Sequence, residues 1–127
     1  MDKFVRIKID RDIAADNVIY ADTNHLRRKG VLQKEEMTEN DGALLVMPPR
    51  PDLFLFYSIH MFGVPYEIAA AWLNHRGEIL DLKNAQPGRI YFPSSFLTQT
   101  THILELHPVH FPQLSKAERV SWEFPDG

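Results

Sequence analysis

Proline and glycine divide this chain of 127 residues into short hydrophobic segments, and this division constrains the fold more than any other feature. The nine prolines and six glycines fall mainly between segments that are too short for ordinary helices. Short apolar or alternating segments bounded by turn-forming residues are typical of β-strands. We therefore predict a mainly β fold, a single compact sandwich or barrel-like domain of about seven or eight short strands. The length fits one domain, residues 1–127.

Individual strands follow from two hydrophobic patterns. Val5, Ile7 and Ile9 alternate with charged residues, which predicts a half-buried strand over 4–9, with a turn over 10–16. The uninterrupted apolar segment 43–47 predicts a strand that is buried on both faces. Further strands are predicted at 17–21, 53–59, 68–73, 78–82, 101–106 and 119–124. The strand at 17–21 would form a hairpin with the first strand, and the strand at 68–73 would pair with the strand at 78–82.

One short helix is predicted near residues 24–29. Thr23 and its neighbours Asp22 and Asn24 carry short side-chain oxygens, which accept hydrogen bonds from the first backbone N–H groups of a helix. Gly30 is expected to end the helix in the left-handed conformation. The basic residues 27–29 on this helix are interpreted as a solvated face.

Composition excludes several classes of function. Fourteen Lys and Arg residues against seventeen Asp and Glu leave a formal charge of −3, so the chain lacks the basic excess of a dedicated nucleic-acid binder. Because cysteine is absent, disulfides, thiol catalysis and cysteine-ligated metal sites are excluded. No apolar stretch approaches the length of about 18 residues that spans a membrane, and the amino-terminal residues alternate charge with hydrophobicity instead of forming a signal sequence. We predict a cytoplasmic protein with no nucleic-acid or membrane partner and no cofactor.

A cluster of potential metal ligands lies towards the end of the chain, at His102, Glu105, His107 and His110. Imidazole and carboxylate groups suit zinc, manganese or non-haem iron if they converge. Along a strand Glu105 and His107 would point to one face and His102 to the other, whereas Pro108 would end the strand before His110. The alternative interpretation is an edge strand whose polar residues face solvent.

Aromatic side chains are concentrated in one part of the chain, at Phe54, Phe56, Tyr57, Phe62, Tyr66 and Trp72. The first interpretation is core packing, because aromatic residues dominate the cores of small domains. In the second, some of them line a cleft in which His60 and Tyr66 supply the polar groups of a small-ligand pocket. The candidate ligand-binding residues are Arg27, His60, Met61, Tyr66, Glu67 and Trp72.

Five short motifs occur in a recognisable order, at residues 21–32, 42–48, 59–64, 72–79 and 101–106. They begin with Ala21-Asp22-Thr23 and end with Thr101-His102-Ile103-Leu104-Glu105-Leu106. In this order they resemble a bacterial and archaeal family known as domain of unknown function 192, and the resemblance covers about residues 4–122. The resemblance implies a compact, mostly β, sandwich-like domain without an established activity.

The chain departs from this family's pattern at one position. Where the family carries Pro-x-Asp ahead of the tryptophan, this sequence has Glu67 and Ala69, so the carboxylate that the resemblance implies at position 69 is absent. Glu67 would substitute for it only if strand periodicity turned both side chains the same way. If that carboxylate carries function in relatives, this chain has lost or altered it.

Three hypotheses for function follow. The leading one is a non-enzymatic domain that binds a small molecule or a protein partner through the candidate residues around His60 and Tyr66. The second is a metal-assisted enzyme that uses Glu105, His107 and His110. The third is a structural accessory subunit, which would present an exposed apolar patch around residues 92–96.

Overall fold

The computed structural model describes residues 3–33, 35–48, 58–93 and 99–125. The strands are β1 (Phe4–Ile9), β2 (Asp12–Ala21), β3 (Asp41–Val46), β4 (Ile59–His60), β5 (Ile68–Leu73), β6 (Ile79–Ala85), β7 (Ile90–Tyr91), β8 (His102–Leu106) and β9 (Val120–Glu123). The helices are α1 (Asn24–Lys29) and α2 (Phe111–Lys116), with 3₁₀ turns at Gly30–Gln33 and Pro108–His110. None of the helices in these ranges has the length and apolar content needed to cross a membrane.

Seven of the strands form one sheet in the order β6–β5–β8–β3–β2–β1–β9, while β4 and β7 pair separately. Neighbours in the large sheet are antiparallel except β2 and β3, which are parallel. The sheet curls into a half-barrel, and the mainly β prediction is confirmed. Its two ends approach each other, because the N–H of Val120 on β9 donates to the carbonyl oxygen of Gly77 in the β5–β6 turn, at 2.8 Å. A Cβ at Gly77 would lie 1.9 Å from the backbone carbonyl oxygen of Val120, so this close approach requires glycine at position 77.

Both faces of the sheet carry a hydrophobic core. Strand alternation places Leu44 and Leu104 in a first core and Leu45 and Ile103 in a second core on the opposite face. Helix α2 covers the first core through Leu114, and the segment that contains α1 covers the second. Strand β3 is therefore buried on both faces, as its uninterrupted apolar sequence predicted.

The predicted helix is confirmed together with its first capping group. The hydroxyl of Thr23 accepts from the N–H of Leu26 at 3.2 Å, and the helix occupies residues 24–29. Gly30 has the expected positive φ, 45°, but its ψ of −127° is not that of a left-handed helical residue. The chain consequently continues into the 3₁₀ turn instead of leaving the sheet, which keeps Gly30 and Val31 packed against it.

One local prediction is wrong, and two short elements of the structure were not predicted. The turn predicted over 10–16 is wrong, because β2 begins at Asp12 and the turn is confined to Asp10 and Arg11. Asp10 adopts a φ of +55°, and its side chain accepts from the backbone N–H groups of Glu118 and Arg119. Pairing with β1 on one side and β3 on the other extends β2 beyond its apolar core sequence. Helix α2 and the short strand β7 were not predicted, and of the strand predicted at 53–59 only residues 58 and 59 lie within the described residues.

Candidate functional site

Glu105 is a buried carboxyl residue in the middle of the large sheet. It lies on β8, directly opposite Ala43 of β3 and Ala70 of β5, and only 6% of its surface is exposed. The interpretation of β8 as an edge strand is therefore wrong, since β8 is paired on both sides. The alternation of β8 directs Glu105 to the face of the second core, where its two alanine neighbours leave space around the carboxyl group.

The turn after α1 covers this carboxyl group. The backbone N–H of Val31 donates to Glu105, and the hydroxyl of Tyr66 donates to the carbonyl oxygen of Val31 at 2.7 Å. A Cβ added to Gly30 would lie 2.8 Å from Glu105 Oε1. The α1 turn can approach the carboxyl group so closely because Gly30 has no side chain.

Burial dominates the electrostatics of the site. It raises the pKa of Glu105 to about 7, and the hydrogen bond from Val31 opposes this increase only in part. The pKa of Tyr66 is raised by burial and, to a smaller extent, by the charges of Glu105 and Asp41. None of the ion pairs found between described residues includes Glu105. The carboxyl group therefore has a hydrogen-bond donor in the protein but no ion-pair partner among these residues.

A small cavity of about 60 Å³ opens beside Glu105. Its walls are formed by residues 27–31, Leu45, residues 58–61, Val64 and Glu105. A wider groove of about 360 Å³ shares Arg27, Arg28 and His60 with the cavity and extends it over Asn24 and Met47.

Arg27 is fixed at this shared wall. Its Nη1 donates to the carbonyl oxygen of Val46 at 3.0 Å, and its Nη2 donates to Asn24 Oδ1 at 2.5 Å. With Arg28 and Lys29 also lining the cavity, the described part of its wall carries three cationic side chains and one carboxyl group. The site thus combines a positive wall with a buried acid.

The predicted ligand-binding residues separate into two groups. Arg27, His60 and Met61 line the cavity, and Tyr66 braces its covering turn through Val31. The carboxylate of Glu67 instead accepts hydrogen bonds from Asn84 and Gln86, and Trp72 is fully buried in the second core. The ring of His60 stacks on Phe62, whereas Phe54, Phe56 and Tyr57 lie outside the described residues.

Two of the predicted metal ligands, His107 and His110, form hydrogen bonds with backbone groups of the chain. Strand β8 ends at Leu106, after which His107 Nδ1 accepts from the N–H of Val109 at 3.0 Å. His110 Nε2 donates to the carbonyl oxygen of Glu39 at 2.6 Å. Across the parts of the chain that the structure describes, no three His, Cys, Asp or Glu side chains form a group that could hold a metal ion.

His102 lies on the face opposite Glu105, as strand alternation predicts. Its ring contacts Trp122 with a centroid separation of 4.4 Å, and its Nδ1 is 2.7 Å from the hydroxyl oxygen of Thr101. Burial lowers the pKa of His102 to about 4. The residue therefore belongs to the packing between β8 and β9 and is separated by the sheet from the cavity.

Ala69, where the family resemblance implied a carboxylate, is fully buried in the first core. Position 69 on β5 therefore contributes an apolar side chain to this core in place of a carboxylate. Phe92, at the start of the predicted apolar patch, is 40% exposed, whereas residues 94–96 lie outside the described residues.

Several residues of the site were missed by sequence reasoning. Glu105 was considered only as a metal ligand, and the cavity residues Gly30, Val31 and Val64 were not considered as site residues. The available signal was a single acidic residue inside an otherwise apolar segment, Ile103-Leu104-Glu105-Leu106. A carboxyl group in such a segment is buried when the strand lies inside a sheet that is covered on both faces.

The family model of domain of unknown function 192, DUF192, matches residues 5–120 of this chain. The chain belongs to the DUF192 family. The description of the family is "Uncharacterized ACR", which names no activity. A search of the curated proteins finds no match to this DUF192 chain.

Two crystal structures share the fold of this DUF192 domain. One is a protein of unknown function from Novosphingobium aromaticivorans, with a TM-score of 0.71 and 15% identity, over 97% of this chain and 85% of that one. The other, named as a candidate transcription regulator from Sinorhizobium meliloti, has a TM-score of 0.67 and 18% identity, over 98% of this chain and 94% of that one. At these identities the likeness concerns the fold alone.

Proposed function

We propose that this DUF192 domain is a non-catalytic module that binds a small polar molecule in the cavity beside Glu105. The observation that carries the proposal is a carboxyl group, only 6% exposed, that borders a cavity of about 60 Å³ and forms none of the ion pairs found between described residues. Burying an ionisable group is costly unless it is paired, hydrogen-bonded or neutral. A ligand that completes its interactions would offset this cost.

The construction of the cavity also supports binding. Arg27 is held by two hydrogen bonds, and Tyr66 holds the covering turn through Val31, so both walls are formed before a ligand arrives. Preformed walls reduce the ordering cost of binding. The described lining combines apolar side chains, such as Leu45, Met61 and Val64, with charged and polar groups that can orient a small ligand.

Proton-transfer catalysis is the second candidate function. A carboxyl group with a pKa of about 7 is suited to act as a general acid or base near neutral pH. The hydrogen bond that Glu105 receives comes from the backbone N–H of Val31, which cannot relay a proton as a side-chain acid or base would. This arrangement favours the binding function over catalysis.

We also retain the cytoplasm as the proposed location, consistent with a ligand drawn from small soluble metabolites. Fractionation of cells that express the chain with an epitope tag tests this, and recovery in a membrane or secreted fraction would contradict it.

The binding function is tested by a thermal-shift screen with amino acids, organic acids, sugars and nucleotides. A ligand at 100 times its dissociation constant stabilises the folded state by about 2.7 kcal/mol, which raises the Tm of a domain of this size by several degrees. The Arg27→Ala/His60→Ala variant should lose the shift. The matched control is His75→Ala/Arg76→Ala, which removes the same two residue types from the β5–β6 turn. An equal shift in both double variants would contradict the assigned site.

A further inference from the structure

The chemistry around Glu105 limits the kind of group that can complete its interactions. Among the described residues, the carboxyl group receives the N–H of Val31, and its strand neighbours Ala43 and Ala70 carry only methyl side chains. The nearby cavity walls are apolar at Leu45, Met61 and Val64. Among the described residues that line the cavity, Glu105 is the one side chain with a carboxyl group, and the other side-chain acceptors are the neutral groups of Ser58 and His60.

We propose that the ligand is a short amino acid, whose ammonium group pairs with Glu105 and whose carboxylate binds Arg27 and Arg28. This inference rests on the proposed binding function and specifies its ligand class. An ammonium group brings three donors and a positive charge, so it satisfies an acceptor and neutralises its charge in one contact.

The dimensions of the site agree with such a ligand. A cavity of 60 Å³ holds about four water-sized groups, which is enough for an ammonium nitrogen and a few methylene carbons but not for a ring system. The wider groove begins at Arg27 and Arg28, so the opposite end of a short chain would emerge beside them.

The arginines supply the second half of the recognition. A guanidinium has five donors in a planar fork, and the two hydrogen bonds of Arg27 to Val46 and Asn24 fix its orientation. Neither Arg27 nor Arg28 takes part in the ion pairs found between the described residues. A carboxylate is the group that this geometry recognises best.

Charge separation along the site distinguishes an amino acid from a simple amine or a simple acid. A simple amine would pair with Glu105 but would leave its other end beside two cations. A simple carboxylic acid would bind the arginines and place an apolar chain end against the buried carboxyl group. An amino acid is complementary at both ends.

The test is isothermal titration calorimetry at pH 8 with the whole chain. The probes are glycine, β-alanine, 4-aminobutyrate, 5-aminovalerate and 6-aminohexanoate, each compared with the amine and the carboxylic acid of the same chain length. We expect at least one amino acid to bind at least ten times more tightly than both of its single-charge analogues. The best chain length would report the separation between Glu105 and the arginines.

Glu105→Gln is the decisive variant, because it keeps the side-chain size and the acceptor for Val31 but removes the charge. Its affinity for the best amino acid should fall about 30-fold or more, as for other buried charge pairs that lose one partner. Glu123→Gln, which removes an exposed carboxylate from β9, is the control and should bind as the unmodified chain does.

The outcomes separate this inference from the proposed function. If the acids alone bind as tightly as the amino acids, or if Glu105→Gln leaves affinity unchanged, the amino-acid proposal is wrong while the binding function stands. The same holds if no amino acid binds but another compound of the thermal-shift screen does so through Arg27 and His60. If no compound binds this cavity, both are wrong.

Discussion

Gly30 and Glu105 are in direct apposition: a Cβ added to Gly30 would lie 2.8 Å from Glu105 Oε1. The two residues are far apart in the sequence and belong to different elements, the 3₁₀ turn after α1 and the interior strand β8. The contact between Gly30 and Glu105 closes the cavity on the side that faces the sheet. It also makes the covering turn sensitive to any side chain at position 30.

Gly30→Ala should destabilise the fold for two reasons. The backbone of Gly30, with φ 45° and ψ −127°, lies in a sparsely populated region that costs an alanine about 1–3 kcal/mol, and the new methyl group displaces a buried carboxyl group at an overpacking cost of about 1–3 kcal/mol. Gly88→Ala is the control, because Gly88 has a φ of 78° and open space around it. Urea unfolding should show the larger loss at position 30, and this excess should shrink in a Glu105→Ala background. Equal losses at both glycines would contradict the contact.

Glu105→Gln should change the pH dependence of stability. In the folded state the pKa of Glu105 is about 7 against an ordinary value of 4.5, so the folded state binds a proton that the unfolded state has released. Its contribution to stability is fully present below pH 4.5 and is lost as pH rises through about 7, a loss of about 3 kcal/mol. Because glutamine does not ionise, the Glu105→Gln variant should not show this loss of stability.

The measurement is urea unfolding of both proteins from pH 4 to pH 8.5. The stability of Glu105→Gln relative to the unmodified chain should increase by about 3 kcal/mol across this range. Burial lowers the pKa of His102 to about 4, which makes the fold lose stability as the pH falls below 6.5, but this contribution cancels in the comparison. A difference that does not vary with pH would show that the carboxyl group is not held in its neutral form.

Tyr66→Phe should loosen the turn that covers Glu105. The variant keeps the ring but loses the 2.7 Å hydrogen bond to the Val31 carbonyl oxygen, at a cost of about 1 kcal/mol. Amide hydrogen exchange should accelerate at Val31 more than in β8. Tyr20→Phe is the control, since the Tyr20 ring packs on Phe124 on another part of the sheet. Unchanged exchange at Val31 would mean that Tyr66 does not hold the turn.

Asn74→Ala should destabilise the β5–β6 turn and the closure of the half-barrel. The Asn74 Oδ1 accepts from the backbone N–H groups of Arg76 and Glu78, at 3.0 Å each, and the residue is buried. Removing it leaves two backbone donors without this acceptor, which costs about 1–3 kcal/mol. The same substitution at Asn84, exposed on β6, serves as the comparison in thermal unfolding. A smaller loss at position 74 than at position 84 would contradict this role.

Much of the local structure could be predicted from the sequence. The alternation at Val5, Ile7 and Ile9 and the capping hydroxyl of Thr23 depend on residues only a few positions away, so their patterns are visible without the fold. The length of β2 could not be predicted in the same way, because pairing with β1 and β3 extends it through residues of weak strand propensity. Helix α2 was missed for a related reason, since its stability comes from packing Leu114 into the first core.

The sequence by itself determined the β class of this protein, its family and the position of its first helix, because each depends on local patterns or on the order of motifs. The tertiary structure decided the environment of Glu105, which is a buried carboxyl group in the wall of a cavity. Only the pairing of β8 with β3 and β5 surrounds it with alanines, and only the return of the α1 turn over the sheet covers it and places the arginines nearby. The pKa of Glu105, about 7, and its position in the cavity wall both depend on these neighbours, which come from segments far apart in the chain.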